Sequence, residues 1–183
     1  MAFWNILASS EERQALLFST LEKIHAEDPA TKILVLAPQG SAFDAAWEAI
    51  ESMGGEPLAT KFTGEEDGDD SDVSTFGDED VTTADTKERP RVLLLPFEHC
   101  AGFNFQHVSR DVIIHSPLWL NDEGVAAASK ETQGIGRVAR PGQKRNVRVH
   151  RILLRAGQGK PSCDHHVTSQ NTSELVRAQI TTG

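Results

Sequence analysis

Three short runs constrain this chain more than any other feature in it: "KILVLA" at 32–37, "RVLLLP" at 91–96 and "DVIIHS" at 111–116. Each is apolar almost throughout. A strand with one wet face alternates apolar and polar residues, whereas a strand covered on both faces does not. Helical patterns separate these runs. "EERQALLFSTLEKIH" places Leu16, Leu17, Leu21 and Ile24 on one face, with Ser9 or Ser10 as its cap and Asp28-Pro29 as its stop. "SAFDAAWEAIESM" sets Phe43, Trp47 and Ile50 at helical spacing, with Ser41 as its cap and Gly54-Gly55 at its end. Residues 122–140 read as a helix that carries glycines and stops at Pro141-Gly142. "PLATKF" (57–62) is a weaker strand and "VRVHRILL" (147–154) the last one. Strands alternating with helices predict an α/β fold with a mainly parallel sheet covered on both sides. Ligands bind such sheets at the carboxyl ends of the strands. That nominates the loops at 38–41, 96–104 and 116–121 and the helix end at 137–143.

The chain has 183 residues, which suits one domain with a tail. The net charge of -9 is local in origin. Residues 65–80 hold nine Asp/Glu and no Lys/Arg, and the remainder balances eighteen acids with eighteen bases. A block of this kind reads as a solvated, mobile loop, with Val73 and Phe76 as its apolar anchors and a short helical turn between them. Two cysteines, Cys100 and Cys163, build no disulfide framework, and a reducing compartment is the default. "CDHH" at 163–166 lacks a second ligand pair at workable spacing, so no metal site is expected. No apolar run reaches transmembrane length, and "MAFWNILASSEER" has no basic region ahead of its apolar stretch, so no membrane span or secretory leader is expected.

The most informative stretch is "QGIGRVARPGQKRNVRVHRILLR". It gathers seven Arg/Lys and no carboxylate between Arg137 and Arg155. Three readings compete. Gly134-x-Gly136-x-x-Ala139 fits a dinucleotide fingerprint, but that motif must follow a strand and open a helix. A basic helix end is favourable beside the helix dipole, yet it leaves Gln133, Gly136, Pro141, Gly142 and Gln143 unexplained. In the third reading Arg137 and Arg140 share a helix face at i, i+3 and form a phosphate sensor, since guanidinium is always charged and forks onto phosphate oxygens.

Gln133, Gly136, Arg137, Arg140, Gly142 and Gln143 together resemble motif VI of the Swi/Snf-like branch of superfamily-two helicases. "CAGFNFQHVSRDVIIHSPLW" resembles motif V, with Gly102 and Asn104 at its matching positions, and "KILVLAPQ" resembles motif IV, with Gln39 in place. The departures are Ala139 where His is common, Trp119-Leu120-Asn121 in place of Trp-Asn-Pro, and a motif IV without its aromatic residue. The resemblance covers residues 9–155 and implies a three-layer RecA-like lobe of the P-loop NTPase type, the C-terminal one of an ATP-driven DNA translocase. It implies an extension at 1–8, an acidic flexible insertion at 64–88 and a polar tail at 156–183. By the same resemblance Arg137 and Arg140 are arginine fingers. Gln133, Gly136, Gly142 and Gln143 line the ATP cleft. Gly102 and Asn104 couple nucleotide to nucleic acid, and Gln39 lies on the backbone-tracking side. The implied cofactor is ATP with Mg²⁺, held mainly by a first lobe. The implied partners are that first lobe, of the same or another chain, and double-stranded DNA, in an intracellular setting for which the family suggests the nucleus.

The sequence has no G-x-x-x-x-G-K-[ST]. The nearest stretch, "AGQGKPS" at 156–162, has Leu154 where the first glycine belongs and Pro161 where the hydroxyl belongs. Without a phosphate cradle the chain alone is expected not to turn over ATP. The alternative is a non-catalytic module that binds protein or nucleic acid through the basic 137–155 stretch.

Overall fold

The structure is a computed structural model that describes residues 2–8, 12–53, 59–62, 76, 90–116 and 124–154; for 2–8, 124–128 and 153–154 it describes the backbone only. Six parallel strands form one sheet in the order β1-β6-β5-β2-β4-β3. The elements are β1 (Ala2–Ala8), α1 (Glu12–Glu27), β2 (Lys32–Ala37), α2 (Ser41–Glu51), β3 (Ala59–Lys61), β4 (Val92–Pro96), a 3₁₀ turn (Phe97–His99), β5 (Ser109–Ile114), α3 (Gly124–Ile135) and β6 (Arg148–Leu154). This is an α/β domain with a parallel sheet, as the apolar runs predict, and its RecA-like form is the one that the family resemblance implies.

The doubly buried strands explain the layers. Successive side chains of a strand point to opposite faces. Ile33, Val35 and Ala37 of β2 join Val92 and Leu94 of β4 and Ile113 of β5 in one core, under Leu17, Leu21 and Ile24 of α1 and Phe43, Trp47 and Ile50 of α2. Leu34 and Leu36 join Leu93, Leu95, Val112, Ile114 and Val149 in the other. That second core is closed by Phe76, Phe97, Phe105, Ile135 and Val138. The register keeps the layers level, with Val35 opposite both Leu94 and Ile113.

Several expectations change. Residues 1–8, read as an extension, supply edge strand β1, which pairs with β6 from Ala2↔Arg148 to Ala8↔Leu154. The third helix ends at Ile135, not at Arg140. Gly136 still donates to the Thr132 carbonyl, but Arg137 and Val138 donate three residues back, to Gly134 and Ile135. Two poor helix formers, Gly134 and Gly136, sit where the coil tightens, so the helix stops before Pro141 can stop it. Arg137 and Arg140 therefore lie on a turn and do not share a helix face. Ser41 is the first helical residue; the N-cap is Gly40, at φ 97° and without a side-chain cap bond. Phe76 is helical and fully buried, edge-on to Phe105 at 5.5 Å, and its carbonyl accepts a 2.6 Å bond from Lys32 Nζ. Val73, Ser9, Ser10, Gly54, Gly55, the rest of 64–88 and the 156–183 tail lie outside the described residues.

Charge is buried at the first residues of β5 and β6. The Asp111 side chain has no exposure. It accepts from Arg148 Nε and from Thr31 Oγ1, with Arg110 at 3.4 Å and His150 at 3.9 Å. Arg148 also reaches Glu27 at the end of α1. Burial pushes the Asp111 carboxyl up, but His150, Arg148 and Arg110 outweigh it and hold the group at about 2. A depressed folded value stabilises above the unfolded value near 3.8, and that contribution is lost as pH falls through about 2. Asp111→Ala is expected to cost about 3 kcal/mol in urea unfolding at pH 7, because it removes the buried partner of Arg148 and Arg110 and leaves them only the more exposed Glu27 and Asp28. In Asp111→Asn, the part of the acid-induced stability loss between pH 4 and pH 2 that belongs to this carboxylate should be missing.

Candidate functional site

The residues singled out by sequence fall into two groups. The larger is the turn after α3. The carbonyl of Arg137 accepts a 2.8 Å bond from the Phe105 amide. Gln143 Nε2 donates to the Ser109 carbonyl at 2.8 Å and to the Val138 carbonyl at 3.4 Å, while its Oε1 accepts from the Arg145 amide. Arg145 Nη2 donates to the Val108 carbonyl at 3.2 Å. Gly142 makes the reversal at φ 101°, a left-handed conformation that a Cβ disfavours. The 136–145 turn is thereby fastened to 105–109, the segment that enters β5. That segment belongs to the same crossover as Gly102, at φ 93°, and the exposed Asn104. The motif V-like and motif VI-like segments thus meet through one main-chain bond, Phe105 to Arg137, and through the side chains of Gln143 and Arg145.

The location differs from expectation. The 137–143 turn docks where the chain enters β5, the amino end of that strand, and not at the carboxyl edge of the sheet. Gln143 is a clamp for the turn and the entrance to β5, so its amide is spent on protein carbonyls. Gln133 is exposed and bonds only within its own helix, to Ser129 Oγ at 3.4 Å. Gln39 stands apart at the carboxyl end of β2, its main-chain N–H donating to Glu98 Oε2 at 3.2 Å.

The two arginines differ. Arg140 Nε is tied back to the Gly136 carbonyl at 2.9 Å, which fixes its stem over its own turn. Arg137 is half-buried, and its Nε is enclosed without a hydrogen-bond partner. Among the described residues, no carboxylate pairs with either guanidinium. Two uncompensated cations on one turn suit an anion. Burial pushes the Cys100 thiol up to about 12 against the pull of Arg137, with Glu98 adding to the rise. Cys100 is therefore a packed apolar group. The dinucleotide reading fails on topology, since Gly134, Gly136 and Ala139 close a helix. Gly134 has a packing reason instead: a Cβ there would lie 2.7 Å from Leu36 Cδ1 and 3.4 Å from Cys100 Sγ.

Sequence reasoning missed a second cleft. Arg13, Gln14, Ser41, His115 and Ser116 line a cavity of about 250 Å³ between α1, the start of α2 and the end of β5. The carboxyl-end rule nominated the loops that hold Ser41 and Ser116, but nothing in the pattern joined them to Arg13 and His115, which are scattered over a hundred positions.

No protein-family model matches this sequence, and no curated protein matches it. Solved structures do. The C-terminal part of the Fun30 ATPase domain superposes with a TM-score of 0.60 at 14% identity, over 79% of this chain and 41% of that one. The Hef helicase domain of Pyrococcus furiosus gives 0.59 at 14% identity, over 87% of this chain and 28% of that one. A chain in the structure of E. coli DEAD-box protein SrmB bound to regulator of ribonuclease activity A gives 0.53 at 17% identity, over 84% of this chain and 78% of that one. This chain has the fold of a helicase-type ATPase C-terminal domain. It spans less than half the length of the first two chains it matches.

Gly142→Ala should cost about 1 kcal/mol through its left-handed backbone. The measurement is urea unfolding, with amide exchange at Phe105 and Val108 reporting whether the turn has loosened. Unchanged stability and exchange would mean that the reversal does not depend on Gly142.

Proposed function

We propose that this chain is the C-terminal lobe of an ATP-dependent DNA translocase of the Swi/Snf-like type, acting on ATP bound mainly by a separate first lobe. The observation that carries the reading is the turn bearing Arg137 and Arg140, two cations without a carboxylate partner among the described residues, fastened to the crossover that carries Gly102 and Asn104. Similarity in fold to the Fun30, Hef and SrmB structures supports it. The motif-level resemblance supplies the Swi/Snf assignment.

In this reading the guanidiniums of Arg137 and Arg140 meet the charge that develops on a transferring γ-phosphoryl group. Mg²⁺ and the phosphate cradle belong to the first lobe. Arg140 has its Nε anchored, so its terminal nitrogens are presented with little reorganisation. Arg137 has an enclosed N–H without an acceptor, a donor that an incoming anion relieves. The Phe105–Arg137 bond ties the position of the arginines to the Gly102–Asn104 segment, the part assigned to the nucleic acid together with Gln39. Gln133 lies one helical turn before Arg137, and only the resemblance assigns it to the same cleft. Gly136, Gly142 and Gln143 shape the turn.

The test is reconstitution. The chain alone, with duplex DNA and Mg-ATP, should show no turnover. Addition of a competent first lobe should produce DNA-stimulated hydrolysis, and Arg140→Ala or Arg137→Ala should lower it about 10³-fold with the fold intact. Salt-sensitive DNA binding that ignores nucleotide, with no turnover on mixing, would assign the chain to the alternative, a non-catalytic module using the basic 137–155 stretch.

A further inference from the structure

Helix α3 turns Glu131, Gly134 and Ile135 toward the sheet and leaves Ser129, Lys130, Thr132 and Gln133 exposed. Gly134 and Ile135 are residues that an α/β interior accepts readily. Glu131 is not. It is 2% exposed, and its Oε2 accepts a 2.8 Å bond from Nη2 of Arg151, itself 7% exposed. Arg151 stands two residues after Val149 in β6, on the same face of the sheet and in register with Ile114. An ion pair thus occupies a layer otherwise built from side chains such as Leu36, Ile114 and Val149.

We propose that Glu131 and Arg151 are positioning residues: their bond fixes α3 lengthwise against β6 and so sets where Arg137 and Arg140 stand, a role that rests on the translocase reading.

Stability alone is a poor reason for the pair. Taking two charges out of water costs about what their attraction returns, and apolar residues of similar volume commonly serve as well or better. The pair is also incompletely satisfied, since Arg151 Nε is buried with no hydrogen-bond partner among the described residues. A directional bond supplies what apolar contact does not, a single register between two elements.

The remaining contacts of α3 need such a mark. Gly134 brings the helix so near the sheet that a Cβ would lie 2.7 Å from Leu36 Cδ1. Glycine has no side chain to interdigitate with the layer below, so the closest approach does little to resist a slide along the helix axis. Two bonds bracket that contact, each three residues from it: Glu131 to Arg151 on one side, and the Phe105 amide to the Arg137 carbonyl on the other. One of them locates the arginine turn. Both together orient the segment that leads into it. A group that must meet a transferring phosphoryl loses up to about 100-fold in rate when displaced by about 1 Å.

The experiment replaces both residues in the full chain, Glu131→Met with Arg151→Met, so that neither charge is left buried alone. Urea unfolding should show stability equal to the wild type or above it. In the same protein the Arg137 Nε–H signal should shift, and the Phe105 amide should exchange about tenfold faster. On mixing with a competent first lobe, kcat should fall by about 10- to 100-fold while KM for ATP changes less than about threefold, because the first lobe holds most of the nucleotide. The proposal is overturned by a double variant with wild-type kcat, by a kcat that falls only in step with the folded fraction, or by Arg137 and Phe105 signals that do not move. The translocase reading fails separately, on a wild-type chain with no turnover on mixing. In that event the Arg137 and Phe105 signals of the chain alone still decide whether the pair positions the turn.

Discussion

Strand β2 is hydrogen-bonded to β5 on one edge and β4 on the other, and every side chain from Ile33 to Ala37 is buried. Its backbone can be satisfied only by parallel neighbours, and its side chains only by a layer on each face. Helices α1 and α2 therefore take one face. Helix α3 and the 97–108 crossover take the other. The same division keeps the arginine turn and the polar cavity in separate layers. A polar replacement at Val35 or Leu36 would strand an unpaired group between two cores.

The arginine turn shows how a functional surface is held without being part of a regular element. Its position rests on carbonyls and amides of the entrance to β5, at Phe105, Val108 and Ser109. Ser109 is itself fixed, since its hydroxyl bridges the Lys32 and Asp111 carbonyls. Below it lies the Asp111–Arg148–Glu27 chain of charge. The guanidiniums thus sit on a scaffold that continues into the buried ionic cluster, and a change at Asp111 acts on the turn through β5.

Most of the sheet was legible because apolar runs with no polar alternation have few other uses. β2, β4, β5 and β6 fall within two residues of their expected places, as do α1 and α2. β1 was not legible. "AFWNILA" is apolar, but its partner is at the other end of the chain, and no local pattern announces a long-range parallel pairing. The end of α3 was misplaced because Pro141 is the louder stop signal, while Gly134 and Gly136 act earlier and more quietly. In the site, the motif spacing picked the residues of the turn but not their geometry: Gln143 is committed to the Ser109 carbonyl, and Gln133 faces its own helix. The loops that hold Ser41 and Ser116 were nominated, but the cavity as a whole was not legible, since Arg13, Ser41 and His115 are neighbours only after the sheet has formed.

The pairing of β1 with β6 has a bearing on how the molecule comes to exist. Of the described elements, β1 leaves the ribosome before the others and its strand partner β6 leaves last. Until residues 148–154 emerge, β5 has one open edge and β1 has none of its ladder bonds. Such a topology has a high mean sequence separation between contacts and folds late and slowly. The apolar β1 segment spends that interval as an unpaired strand, which is when a sequence of this kind is most exposed to association with other chains or to a chaperone.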